Sequence, residues 1–150
     1  WQWDGVHFEV LNPEPESRLK GNNRSCVLRV ETVHGRALLP ADIARIAERR
    51  LVREHLNQLP AEVLIAPHHG SKSSSSLAFL AAVQPRLVLI PVGYRNRYRH
   101  PHPDVVDRYR DLGVTVADSA ASGAIEVRFA GGQYQVERYR QAHRRYWHRP

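Results

Sequence analysis

The chain has 150 residues, 42% of them hydrophobic and 25% charged, with one cysteine and a net charge of +7. That length supports one domain with a buried core, and that composition excludes a disordered polymer. A lone cysteine excludes an internal disulfide framework and a cysteine-built zinc site, and no apolar run reaches the length of a membrane span. The positive charge, almost all of it arginine, favours an anionic partner: nucleic acid first, an acidic membrane surface second. The chain starts at Trp1, holds no methionine and shows no signal peptide, and we read it as a piece of a longer polypeptide.

Taken in order, Trp1 to Leu11 alternates Val6, Phe8 and Val10 with His7 and Glu9, the period of a half-buried strand. A proline-rich loop, Asn12 to Ser17, and a polar turn-rich stretch to Arg24 follow. Ser25–Thr32 and Arg36–Leu39 are predicted strands joined by a hairpin turn at Val33-His34-Gly35. Cys26, in the apolar run at the start of the first of these, is expected to be a buried thiol. Pro40-Ala41-Asp42 is expected to open a helix with Ile43, Ile46, Ala47, Leu51 and Val52 on one face and Glu48 among the charged residues opposite. Asp42 reads either as the helix N-cap or as a metal ligand. Glu62–Ile65 and Leu87–Ile90 read as buried strands, the latter parallel, with a helix from Leu77 to Val83 between them. A helix from Asp104 to Leu112, a short strand Val114–Val116 and a hairpin around Ala130 to Gln133 complete an α/β unit. Residues 138–150 mix arginine, histidine and aromatics and read as a basic tail, frayed at the end.

Two loops stand out because each leaves a buried strand, where rigid elements hold exposed side chains. The first, Ala66 to Ser76, carries His68, His69, Gly70, Ser71, Lys72, Ser73, Ser74 and Ser75. Neutral imidazole binds metals, and serines at a helix start offer hydroxyls and free N–H groups to phosphate. The bland alternative is a solvated loop ending in a serine N-cap. The second loop, Pro91 to Pro103, alternates Arg95, Arg97 and Arg99 with Asn96 and Tyr98. It is either a phosphate track with a stacking aromatic or a solvated basic loop.

Four segments in this order carry a resemblance: Asn22 to Leu28, Leu38 to Asp42, Pro67 to Ser75, and Asn96 to Pro103. Together they resemble the second half of the metallo-β-lactamase-like domain of ComEC-type DNA-uptake competence proteins, over about Val6 to Phe129. The resemblance implies the C-terminal portion of an αββα sandwich over residues 1–137 and a two-metal hydrolytic site at the sheet ends. It assigns Asp42 as the bridging carboxylate and one of His68 and His69 as the last histidine ligand, with His69 favoured. Two departures accompany it. Ala41 stands where the family has glycine, which changes the turn that aims the carboxylate. The His-x-His-x-Asp-His cluster of the family is absent, so this stretch alone is expected to be inactive.

The resemblance implies a metal-dependent nuclease, two divalent ions (manganese or zinc) being held by the intact domain and none necessarily by this stretch. Its substrate would be the phosphodiester bonds of the DNA strand that is not transported. In that setting Ser71, Lys72, Ser73, Arg95, Asn96 and Arg97 would bind phosphate or DNA, and His100 or His102 would protonate the leaving oxygen. The alternative for those two histidines is an exposed pair at a proline-initiated helix. Implied partners are single-stranded DNA, the other half of the domain, the membrane channel of the same polypeptide and other competence proteins. The implied location is the inner membrane, with this region on its periplasmic side. The rival readings are a non-catalytic DNA-guiding module with a decayed metal site, and a hydrolase of the same fold acting on a small phosphoester or lactone.

Overall fold

A computed structural model of the chain describes residues 1–147. The two residues Asp4 and Gly5, both at positive φ, break the expected first strand into β1 (Gln2–Trp3) and β2 (Val6–Asn12). There follow β3 (Val27–Thr32), β4 (Gly35–Leu39), α1 (Arg45–Glu54), β5 (Val63–Ile65), α2 (Leu77–Val83), β6 (Leu87–Ile90), α3 (Pro103–Asp111) and β7 (Thr115–Asp118). A helical turn α4 (Ser119–Ser122), the hairpin β8 (Ile125–Ala130) and β9 (Gln133–Arg138), and a short α5 (Tyr139–Ala142) end the description. The basic tail expected from residue 138 thus begins with a helical turn, and its residues 148–150 lie outside the described residues.

Seven strands form one mixed sheet in sequential order, β1 to β7, and β8–β9 form a separate pair. β1 to β4 are antiparallel neighbours, and β4 to β7 run parallel. Sequential parallel strands joined by right-handed crossovers place every crossover helix on the same face. α1, α2 and α3 therefore share one core. Leu38, Leu64 and Val88, paired across β4, β5 and β6, meet Ala47 and Leu51 of α1, Phe79, Leu80 and Val83 of α2, and Val105 and Tyr109 of α3. The α/β class expected from the sequence is the one observed: a mixed sheet flanked by helices.

The opposite face is unevenly covered. The small hairpin lies against its β4–β7 end. There the Phe129 ring would clash with any Cβ on Gly35, and Ile125 lines an apolar cleft with Ile65 and Leu89. At the β2–β4 end the rows Phe8–Val30–Ala37 and Val10–Leu28–Leu39 stay half-exposed, Val10 by 48%.

Three expectations are corrected. α1 starts at Arg45 rather than at the Pro40–Asp42 turn, because a remote residue caps it: Asn23 Oδ1 accepts from the backbone N–H groups of Ala44 and Ala47 at 3.2 and 3.1 Å. That phase turns Ile46 outward, 54% exposed, and buries Glu48 completely. Cys26 is exposed, because Val27 faces the core and strand alternation turns its neighbour outward.

Candidate metal and phosphate site at the strand ends

Three loops leave the carboxyl ends of parallel strands side by side: Pro40–Ala44 after β4, Ala66–Ser76 after β5 and Pro91–His102 after β6. Backbone bonds stitch them together. His68 N–H donates to Ala41 O and His102 N–H to Gly70 O, each at 2.9 Å. Gly70 sits at φ +77°, and a Cβ there would lie 2.7 Å from Pro101 Cβ, so only glycine lets the second and third loops touch. Ala41, His68 and His69 all occupy the left-handed region, at φ 48°, 49° and 55°. Three such non-glycine residues carry backbone strain of about 1–2 kcal/mol each, and strain of this kind gathers where a site needs a fixed geometry.

That geometry brings Asp42 and His69 together. His69 Nδ1 lies 2.7 Å from Pro91 O, and a carbonyl can only accept, so the proton resides on Nδ1. Nε2 faces Asp42 Oδ1 at 3.5 Å, both side chains being about half exposed. Asp42 is not the N-cap of α1; Ala44 holds that position, so of its two readings the capping one is excluded. His68 turns the other way. Its Nε2 meets Asn22 Nδ2 at 3.3 Å, and its Nδ1 is buried without a hydrogen-bond partner.

His100 lies half-buried, its ring 6.0 Å from those of His68 and Tyr98. Burial, then the neighbouring imidazoles of His68, His69 and His102, push its pKa below the usual value. A neutral imidazole at pH 7 suits accepting a proton better than delivering one. His102 caps α3: its Nδ1 accepts from Asp104 N–H at 3.3 Å. Pro103 opens α3, but neither His100 nor His102 is the exposed side chain that the helix-initiating reading expected: both are half-buried.

The serines divide into two kinds. Ser74 and Ser75 are buried; Ser74 Oγ reaches the carbonyls of Pro67 and Ser71, and Ser75 Oγ meets Tyr109 Oη at 2.6 Å. Glu48, reaching across from α1, accepts from Ser75 N–H at 2.5 Å and Ser76 N–H at 2.9 Å. Arg108 donates to Ser75 O from the other side at 2.6 Å. Ser71 and Ser73 remain towards solvent with their hydroxyls 3.0 Å apart. Lys72 Nζ pairs with Asp104 at 3.1 Å in an exposed contact, and that ammonium is the first cause holding the Asp104 carboxyl below its usual range.

In the third loop Asn96 is spent on the loop itself. Nδ2 donates to Gly93 O and His100 O, and Oδ1 accepts from His100 N–H. Arg95 and Arg97 lie over the rings of their neighbours Tyr94 and Tyr98, at 5.2 and 4.7 Å, with Arg97 also bonded to the Tyr98 hydroxyl.

Asp42 Oδ1 and His69 Nε2 are donors of the right kind for a divalent ion, with the tautomer already set. They fill two places of a coordination shell and no more; an ion held here takes its other ligands from outside these residues. Among the described residues, a three-donor group capable of holding a metal lies elsewhere, at Glu14, Glu54 and His55. Its carboxylates are engaged by Arg50 and Arg53, so it reads as an ion-pair cluster. The sequence left Asn22, Asn23, Glu48, Arg108 and Tyr109 without a role. Of these, Asn22 and Asn23 carried the only signal, their place in the first resembling segment.

No protein-family model matches the chain. It is 37% identical over 147 residues to Competence protein ComA of Neisseria gonorrhoeae, covering 98% of this chain and 21% of that protein. It is 31% identical over 140 residues to Recombination protein 2 of Haemophilus influenzae, covering 93% and 17%. Against ComE operon protein 3 of Bacillus subtilis it is 33% identical over 124 residues, covering 83% and 16%. No helix among the described residues is long and apolar enough to cross a membrane. The chain spans about a fifth of the length of these relatives, and as that segment it belongs to the ComEC/ComA family of competence proteins.

Proposed function

We propose that this chain is one part of a metal-dependent nuclease module in a DNA-uptake protein, a module that cuts phosphodiester bonds of the strand left outside. The observation that carries the reading is the Asp42–His69 pair. Two metal-ligating atoms from different strand ends meet, with His69 Nδ1–H donating to Pro91 O, at the edge of a chain with net charge +7. Asp42 and His69 would hold divalent ions, manganese or zinc, which supply an activated water and charge neutralisation for phosphodiester hydrolysis. Ser71 and Ser73 hydroxyls and the Lys72 ammonium would bind the phosphate. Lys72 exchanges one carboxylate partner for another anion, a small loss for an exposed pair.

On the family resemblance the missing ligands would come from a preceding half-domain, and the half-exposed rows of β2–β4 would be the apolar surface against which such a half packs. The names of the relatives support a place beside other competence proteins, and we place the module on the periplasmic side of the inner membrane. A DNA-guiding module without catalysis is the second reading. It is favoured by the two-donor limit and by Ala41, an alanine held where the backbone suits glycine. The small-phosphoester or lactone hydrolase is disfavoured by the arginines along Arg95–Arg99.

The test is cleavage of labelled single-stranded DNA with manganese or zinc by a longer protein containing this chain and the preceding half, beside its Asp42→Ala and His69→Ala variants. Cleavage lost in both variants is the expected result. Undiminished cleavage in the variants places the metals elsewhere. DNA binding without cleavage under either metal leaves the guiding module.

A further inference from the structure

Beside the Asp42–His69 pair lies a cleft of about 210 Å³, lined by His69, Pro91, Val92, Gly93, Tyr98 and His100, with Asn96 at its side. Its walls are flat or apolar. Tyr98 and His100 lie nearly parallel, 22° apart, and Tyr98 stays 64% exposed, a large aromatic left in water. The loop is braced. Asn96 makes its three internal bonds, and Ser119 Oγ sits 2.8 Å from both the N–H and the carbonyl of Val92. Such bracing lowers the ordering cost of binding.

The volume falls below the usual 300–1,000 Å³ or so of a drug-sized site, which suits one ring system. Few lining groups can read a hydrogen-bonding edge, so the cleft recognises a face. The guanidiniums of Arg95 and Arg97 stand over neighbouring tyrosines on the same loop, so an occupant attached to an anionic backbone is matched in charge. A base in a duplex has its faces covered by its neighbours; one in a single strand does not.

We propose that this cleft receives a single nucleobase of an unpaired strand, stacked on Tyr98 and His100 beside His69. The inference deepens the nucleic-acid reading above and rests on it. It makes Tyr98 a binding residue that is blind to sequence and selective for unpaired strands.

The test compares two fluorescein-labelled oligomers of about ten nucleotides, a usual site size for such grooves. One is oligothymidylate; the other is an abasic oligomer with the same number of phosphates. Fluorescence anisotropy is measured on the longer protein that contains this chain and the preceding half, and on its Tyr98→Leu and Tyr98→Phe variants. The unaltered protein should bind the base-bearing oligomer roughly tenfold more tightly, the scale of one stacked base. Tyr98→Leu should erase that ratio while leaving the abasic affinity unchanged, and Tyr98→Phe should retain it. Equal affinity for both oligomers, or an equal loss on both in Tyr98→Leu, overturns the cleft and spares the nucleic-acid reading. If neither oligomer binds, both fall.

Discussion

The loops after β5 and β6 leave adjacent parallel strands at the same edge of the sheet, yet they are held by opposite means. The Ala66–Ser76 loop is fixed from outside itself: Glu48 of α1 takes two of its N–H groups, and Arg108 and Tyr109 of α3 hold Ser75. The Pro91–His102 loop is held at its ends by Ser119, His69 and Gly70, but its middle is fixed from within by Asn96, and its long side chains face water. The first arrangement holds His68 and His69 in strained backbone, as the proposed metal role of His69 would require. The second leaves side chains free to adapt while the backbone stays put, which on the proposed function would suit a flexible anionic strand.

The largest expected effect comes from breaking the outside clamp. Glu48→Gln removes the charge from a buried acceptor of two N–H groups, and loss of about 3 kcal/mol in urea unfolding is expected. A loss under about 1 kcal/mol would mean that the serine loop supports itself.

The same clamp sets an alkaline limit. Burial, partly offset by the Ser75 hydrogen bond, raises the Tyr109 hydroxyl to about 12 from its usual 10.0. The folded state keeps this proton where the unfolded chain loses it. The stabilisation is therefore complete below pH 10 and is lost as pH rises through the window from 10 to 12. Across that window unfolding free energy should fall by roughly 2 kcal/mol through this group alone. In Tyr109→Phe the fall should be shallower by that amount; an unchanged alkaline profile would remove the tyrosine from the clamp.

Asn96→Ala sharpens the contrast from the other side. It should cost about 1 kcal/mol or less globally, while amide exchange of Arg99 and His100 accelerates. A global loss as large as that of Glu48→Gln would erase the distinction between the two loops. The smallest change is a gain. Ala41→Gly relieves a left-handed alanine and should stabilise the chain by about 0.5–1 kcal/mol. Destabilisation would show that the alanine methyl packs usefully.

Much of the fold was legible in the residues themselves. Alternation marked β2, apolar runs marked β3, β5 and β6, and Ser76 marked the start of α2, where its Oγ does accept from Phe79 N–H. The paired histidines and Asp42 were visible as residue types at strand ends. These signals are local: each depends on a few consecutive residues and a period of 2 or 3.6. What the tertiary structure decided were relations between residues distant in the chain. Asn23 capping α1 from 21 residues away set the helix phase, and with it the burial of Glu48 and the exposure of Ile46. Pro91 O, 22 residues beyond His69, assigned its proton and turned Nε2 towards Asp42, while His68 beside it went to Asn22. No periodicity records such choices, because they depend on which strand ends the sheet brings side by side.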